Sequence, residues 1–289
     1  MSKKADGLIP YFILGVLAFI WGSSFILMKI GLQNLAPVEL ASLRVAIAGL
    51  SLSPFALRAM HKHRAKWKAL IGVGLLGNLL PAILFANAQT VIDSSLSGML
   101  NSLTAVFTLL FGVWFFGIVA SRRKWLGVLI ALLGSSLLFA EDLMSSDLGQ
   151  IQYGGLVLLA TCCYGMSVNV IRNYLSGVRS IEVAALSLLP VSIISLVIYL
   201  YVGDFDVLSS LEGQQSIGAV VLLAISGTAF ASVLFFYLVS KTSALFASMV
   251  TYLIPLVAIV WGLFVGEEIQ AFELAGMTVI FLGILQIRR

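Results

Sequence analysis

Apolar residues in this 289-residue chain gather into long, nearly unbroken runs separated by short polar gaps. Ten such runs can be marked, roughly at 10 to 30, 38 to 58, 69 to 89, 95 to 117, 124 to 141, 153 to 173, 181 to 201, 216 to 239, 244 to 265 and 272 to 287. Each is about 17 to 25 residues long, enough at a rise of about 1.5 Å per residue to cross a hydrocarbon core about 30 Å thick. Pro10, Pro37, Gly203, Gly213 and Gly266 punctuate several boundaries, as helix ends require. The pattern predicts an all-α, polytopic membrane protein of ten transmembrane helices.

The charges sit almost entirely in the gaps, and their sign alternates. Lys and Arg fill the start (Lys3, Lys4) and the second gap (Arg58, Lys62, Arg64, Lys66, Lys68). They return in the fourth (Arg122, Arg123, Lys124), sixth (Arg172, Arg179) and eighth (Lys241) gaps and at the end (Arg288, Arg289). The odd-numbered gaps from the third to the ninth are acidic, through Asp93, Glu141, Asp142, Asp147, Asp204, Asp206, Glu212, Glu267, Glu268 and Glu273. Basic loops stay on the cytoplasmic side, so the alternation predicts a multi-pass protein of the cell inner membrane with both termini in the cytoplasm. The first run follows a short basic start, exceeds a signal-peptide core in length and lacks a small-residue cleavage site, so it is read as the first span.

Composition narrows the function. Sixty per cent apolar and ten per cent charged residues, with a mean hydropathy above +1, suit the lipid bilayer as solvent and leave no room for a soluble domain. Any chemistry must then occur inside the bundle or at its mouths, against a small-molecule substrate. The net charge of +4 belongs to loops facing an anionic leaflet, which gives a nucleic-acid partner no support. Enzyme signatures are missing: there is no intramembrane His beside a serine, no HExxH and no phosphate-cradling glycine loop. Neither a cofactor nor a metal is expected; Cys162 and Cys163 are neighbours, read as packing residues, and His61 and His63 stand in the solvated run HKHRAKWK.

The chain also repeats. A shift of 149 residues lays SSLSGML (94 to 100) on SALFASM (243 to 249), Gly117 on Gly266, Gly127 on Gly276 and Leu133-Gly134 on Leu282-Gly283. A shift of 143 lays Trp21-Gly22 on Tyr164-Gly165, Ser24 on Ser167, Lys29 on Arg172 and Glu39 on Glu182. The expected organisation is therefore two five-helix repeats, 1–148 and 149–289. Five is odd, so the second enters the membrane from the opposite side. Inverted repeats are characteristic of secondary transporters, whose halves exchange inward-open and outward-open forms around a site near the midplane.

Over nearly its whole length the chain resembles the drug/metabolite transporter superfamily, in its EamA-like branch of ten-span carriers. The resemblance rests on WGSSF (21 to 25) followed by Lys29, on Pro37 leading to Arg44, and on YLIPLVAIVWGLFVGEE (252 to 268). Val106 stands opposite Pro255 and Ile118 opposite Glu267, so the proline-bearing, acid-terminated helix occurs in the second half alone. The resemblance implies alternating-access export of small metabolites, often amino acids.

Polar groups within spans mark the candidate site, because lipid gives them no partner. Ser94, Ser97, Asn101, Thr104 and Thr108 share a face of the fourth span; Asn78, Ala82, Phe85 and Gln89 share one of the third; Ser248, Thr251, Tyr252 and Pro255 share one of the ninth. Helix packing through small residues, such as Gly49 with Ser53 and Gly127 with Ala131, is the competing reading for Ser and Thr. Asn101 needs more partners than a dry interface supplies. Trp21, Ser24, Phe25 and Met28 share a face of the first span, with Tyr164 in the equivalent place of the second half.

Arg44 is the deepest cation, either a fork for a substrate carboxylate or a structural tie to a carbonyl or to Glu39. The expected substrate-binding residues are Trp21, Arg44, Asn78, Asn101 and Tyr252, between the first, second, third, fourth and ninth spans. Gly22, Gly165 and Pro255 are expected hinge or gating positions. No acid lies mid-span, which predicts transport without a titrating carboxylate. A carrier of phosphorylated or nucleotide-linked metabolites would want more than one deep cation, and a non-transporting membrane partner subunit would leave the polar stripes unexplained.

Overall fold

The computed structural model describes residues 8–138, 148–242, 244–247 and 250–288. Lys3, Lys4, Glu141, Asp142, Asp147 and Ser248 lie outside the described residues. Ten principal helices follow one another: α1 (Ile9–Gly31), α2 (Pro37–Ala59), α3 (Arg64–Ala88), α4 (Ser94–Phe116) and α5 (Arg122–Leu137). After them come α6 (Leu148–Tyr174), α7 (Ser180–Val202), α8 (Leu211–Lys241), α9 (Val250–Phe264) and α10 (Ala271–Arg288). Every regular element among the described residues is helical. Seven of the ten, α1 to α4 and α6 to α8, are long and apolar enough to cross a membrane. Helices α9 and α10 are shorter apolar helices, and α5 has 16 residues and opens on Arg122, Arg123 and Lys124.

Local chemistry sets the helix ends. Pro10 and Pro37 occupy first-turn positions, where a missing N–H costs nothing. Glu39 reaches back from the first turn of α2 to accept from the Ala36 N–H at 3.2 Å. The turns after α4 and α9 both pass through a left-handed glycine, Gly117 (φ 66°) and Gly266 (φ 82°), a conformation that a Cβ would strain.

The packing has an internal order. Helix α1 lies against α9 and α8, and α6 lies against α4 and α3; α2 touches α3 and α8, and α7 touches α8 and α3. Moving five helices along the chain therefore carries each of these contacts onto another, while α2–α7, α4–α9 and α5–α10 map onto themselves. Two of the self-paired seams are very close. A Cβ placed on Gly49 of α2 would fall 2.2 Å from that of Ser192 on α7, its counterpart under the 143-residue shift. One on Gly134 of α5 would fall 2.6 Å from the Ile280 N of α10, and one on Gly283 2.6 Å from the Gly127 carbonyl. Small residues substitute here for a hydrophobic driving force that lipid does not supply. Gly49 thus serves the close helix packing expected of it, against α7.

The two ends of the bundle differ in charge. One gathers Lys29, Glu39, Asp93, Asp204 and Glu267, joined by hydrogen bonds between the ends of their helices. The other holds Lys62, His63, Lys66, Arg179 and Glu182, likewise interconnected. These are called the acidic and basic ends below.

Three helices lose α-geometry between the ends. Leu75–Leu79 of α3 and Leu223–Phe230 of α8 form π-helical turns, and α4 is interrupted at Ser102 and Leu103. Pro81 has no N–H for the Gly77 carbonyl, so the α3 ladder is already loosened where its π turn forms. In α4, Ser102 and Leu103 bond back only three residues, to Met99 and Leu100, and the Ser102 hydroxyl adds a second bond to Met99.

Candidate functional site

All three irregular segments border one cavity of about 140 Å³ in the middle of the bundle. From α1 it receives Trp21, Ser24, Phe25 and Met28, the face expected from their spacing. Helix α6 supplies Tyr164, Ser167, Val168 and Ile171, which are the same four positions moved by 143 residues. The α3 turn contributes Gly77 and Asn78, and the α8 turn contributes Gly227 and Thr228. Asn101, Thr104 and Thr108 enter from α4, Arg44 from α2, and Thr251 and Ile254 from α9. The two π turns are equivalent in a further respect: Gly77 abuts the Ser167 hydroxyl and Gly227 that of Ser24.

Four of the five residues expected to bind substrate, Trp21, Arg44, Asn78 and Asn101, thus face one space. Tyr252 does not line it, although its neighbour Thr251 does; it is half-buried against the core. Gly22 and Gly165 lie at helix crossings, where a Cβ would come within 2.5 Å of the Val257 side chain and 2.8 Å of the Thr108 backbone. Pro255 is buried inside α9, next to the cavity residue Ile254. The polar stripe of α4 divides ahead of its break: Asn101, Thr104 and Thr108 face the cavity from both sides of Ser102–Leu103, whereas Ser94 turns to Glu267.

Among the described residues, Arg44 is the one charged residue of the lining. Its Nε donates to Thr228 Oγ1 at 2.8 Å, which fixes the guanidinium from behind. A tie to Glu39 is not made, because that carboxylate is occupied by the Ala36 and Asp204 amides at the acidic end. Among the described residues no carboxylate lines the cavity and none forms an ion pair with Arg44. The polar remainder is neutral: Asn101 Oδ1 accepts from Thr104 at 3.5 Å, and the Asn78 amide makes no hydrogen bond to a described side chain.

The walls are aromatic. Phe25, Phe85 and Tyr164 form a chain with centroid separations of 5.6 and 6.1 Å. Trp21 packs on Phe235 at 5.2 Å and donates its indole N–H to the Gly227 carbonyl at 2.9 Å, so one carbonyl of the α8 turn is already satisfied.

At the acidic end, Lys29 Nζ donates to Glu267 Oε1 at 2.7 Å and to Asp93 at 3.3 Å. Glu267 also accepts from the Ser94 hydroxyl (2.8 Å) and from the Ser94 and Ser95 amides (3.1 and 3.0 Å), which binds α1, the start of α4 and the turn after α9 together. Burial pushes this carboxyl up, but the hydrogen bonds from Lys29, Ser94 and Ser95 outweigh it and hold the group at about 2. The equivalent turn after α4 carries Ile118, whose side chain meets Gly112.

Helix α8 is not among the spans that the sequence places at the site, and α6 enters there only through Tyr164 as the counterpart of Trp21. For α6 the signal was present, since the 143-residue shift already paired Trp21 with Tyr164 and Ser24 with Ser167. Thr228, by contrast, is one threonine among many until the fold sets it beside Arg44.

Comparison with known proteins agrees with this architecture. The model of the EamA-like transporter family matches residues 8–140 and again 154–289. A protein of Escherichia coli K12, named as the uncharacterized inner membrane transporter YedA, is 26% identical over 268 residues, covering 90% of this chain and 84% of its own. Another of the same strain, named as a probable amino-acid metabolite efflux pump, is 22% identical with 98% and 94% covered. One solved crystal structure superposes with a TM-score of 0.65 over 96% of this chain and 95% of the other at 15% identity, a likeness of fold alone. This chain, a multi-pass helical bundle with an aromatic-walled cavity at its centre and one family model matched along both halves, belongs to the EamA-like transporter family.

Proposed function

We propose that the chain exports small carboxylate-bearing metabolites, amino acids or related compounds, by alternating access. The observation that carries this is Arg44, a half-buried guanidinium in a mid-bundle cavity whose lining, among the described residues, holds no other charge. A cation in that position costs about 2.5 to 3.5 kcal/mol on insertion scales, and a substrate carboxylate on its planar fork offsets the cost. The relative named as a probable amino-acid metabolite efflux pump supports the same substrate class. The helices are read as ten spans with both termini cytoplasmic, in inverted halves 1–148 and 149–289. Packing that maps onto itself five helices along favours a rocking exchange of the halves around the cavity. A phosphorylated substrate is disfavoured, because its two charges would meet one cation.

The test is counterflow of a labelled amino-acid panel in proteoliposomes. The wild-type protein is expected to exchange at least one member, and Arg44→Lys, whose ammonium lacks the fork, to lose about tenfold or more in affinity, read from the concentration dependence of the substrate-induced thermal shift, while keeping its fold. If Arg44→Lys transports normally and Arg44→Ala merely lowers thermal stability with unchanged affinity, Arg44 ties helices and is not part of the site.

A further inference from the structure

Resting on that reading of the cavity, we infer that the site recognises a substrate by its carboxylate and its apolar body and does not read the amino group, so deaminated monocarboxylates bind as well as amino acids. Charge placement gives the first reason. Among the described residues the lining carries one positive group and no negative one. The buried acids among the described residues are all engaged elsewhere: Glu39 with backbone amides, Glu182 with His63 and Arg179, Glu267 with Lys29 and Ser94, and Glu273 with the Gln270 amide. A substrate ammonium leaving water would therefore find no carboxylate, and it would share a low-dielectric space with Arg44, a charge of its own sign.

The second reason is what the cavity offers instead. The Asn78 and Asn101 amides can accept or donate equally, so they serve a hydroxyl, a keto oxygen or an amine without choosing among them. The carbonyl of Gly227, the kind of backbone group that an irregular helix could turn toward an ammonium, already accepts from the Trp21 indole and is held toward it. The Phe25–Phe85–Tyr164 wall suits a flat or branched apolar body.

Three probes on one scaffold separate the possibilities: phenylalanine, 3-phenylpropionate and phenethylamine. Binding is read as a thermal shift and by titration calorimetry on purified full-length protein in detergent, because the weak acid and the amine cross lipid unaided and would confuse a flux assay. Leucine, 4-methylpentanoate and 3-methylbutylamine repeat the series for a branched body. We expect the deaminated acid to bind within about threefold of the amino acid and the amine at least tenfold more weakly. Arg44→Ala should abolish binding of both acids without weakening that of the amine. Binding of the amino acid but not its deaminated analogue would sink this inference and leave the transport reading standing. An amine that binds as tightly as the amino acid would overturn it as well. If none of the six binds and no amino acid exchanges in counterflow, the proposed function fails and this inference with it.

Discussion

Glu267 shows what one side chain gains from its position. It lies beyond the end of α9, its side chain is 1% exposed, and it faces both the Lys29 ammonium and the free amides that open α4. A carboxylate there is stabilised by the ammonium and by the positive end of the helix together. Because its folded value, about 2, lies below the ordinary 4.5, the contribution to stability is complete above about pH 4.5 and is lost as the pH falls toward 2. Glu267→Gln should therefore melt below the wild type at pH 7, by up to about 3 kcal/mol, with the gap narrowing as the pH is lowered through 4. Melting curves of both proteins from pH 7 to 3 check this; a gap that stays constant would mean that the charge of Glu267 stabilises nothing. Such a clamp is hard to see in a sequence, where Glu267 is one of several gap acids and its partners lie 173 and 238 residues away.

At the scale of the helix, the runs of apolar residues gave most element positions within a few residues. What they missed was interruption. A polar stripe at steps of three and four assumes continuous α-geometry, and the turn at Ser102–Leu103 ends that continuity in α4. The π turns of α3 and α8 were equally hidden, since a widened turn depends on what the neighbouring helix offers as well as on Pro81 or Gly227. Two glycines of α6 give a clean test of close approach. At Gly155 a Cβ would meet nothing within 4 Å, whereas at Gly165 it would press on the Phe107 and Thr108 backbone at 2.8 Å. Gly155→Ala should be neutral or stabilising by up to about 1 kcal/mol, from helix propensity. Gly165→Ala should cost about 1 to 3 kcal/mol, because backbone atoms cannot move aside as a flexible side chain can. Equal melting temperatures for the two variants would show that α6 and α4 are not held in contact there.

For the whole molecule, loop charge was the most legible property, and the acidic and basic ends of the bundle are its outcome. The binding residues were partly legible: Trp21, Arg44, Asn78 and Asn101 stood out as costly or aromatic groups within spans, while Tyr252 was on the right helix but outside the lining. Sidedness has a direct measurement. Single cysteines replacing His61, at the basic end, and Asp206, in the loop after α7, are treated with an impermeant thiol reagent on intact cells, in a background where Cys162 and Cys163 are alanine. Asp206→Cys should react and His61→Cys should not. Labelling of both from outside would contradict two halves of opposite orientation.

The pairing of Glu267 with nothing better than Ile118 reaches beyond stability. A carrier with two identical halves would divide its time evenly between its two faces. On the proposed alternating-access reading, the turn after α9 is fastened by an ionic clamp and the matching turn after α4 by an apolar contact, a contrast that sets the two openings apart in free energy. Every 1.4 kcal/mol of that difference is a tenfold difference in occupancy, and it reduces apparent affinity in the same proportion for a ligand arriving from the rarely open side. On that reading the same cavity is a tighter site toward one compartment than toward the other, an asymmetry written into a near-symmetric scaffold at the Glu267 position.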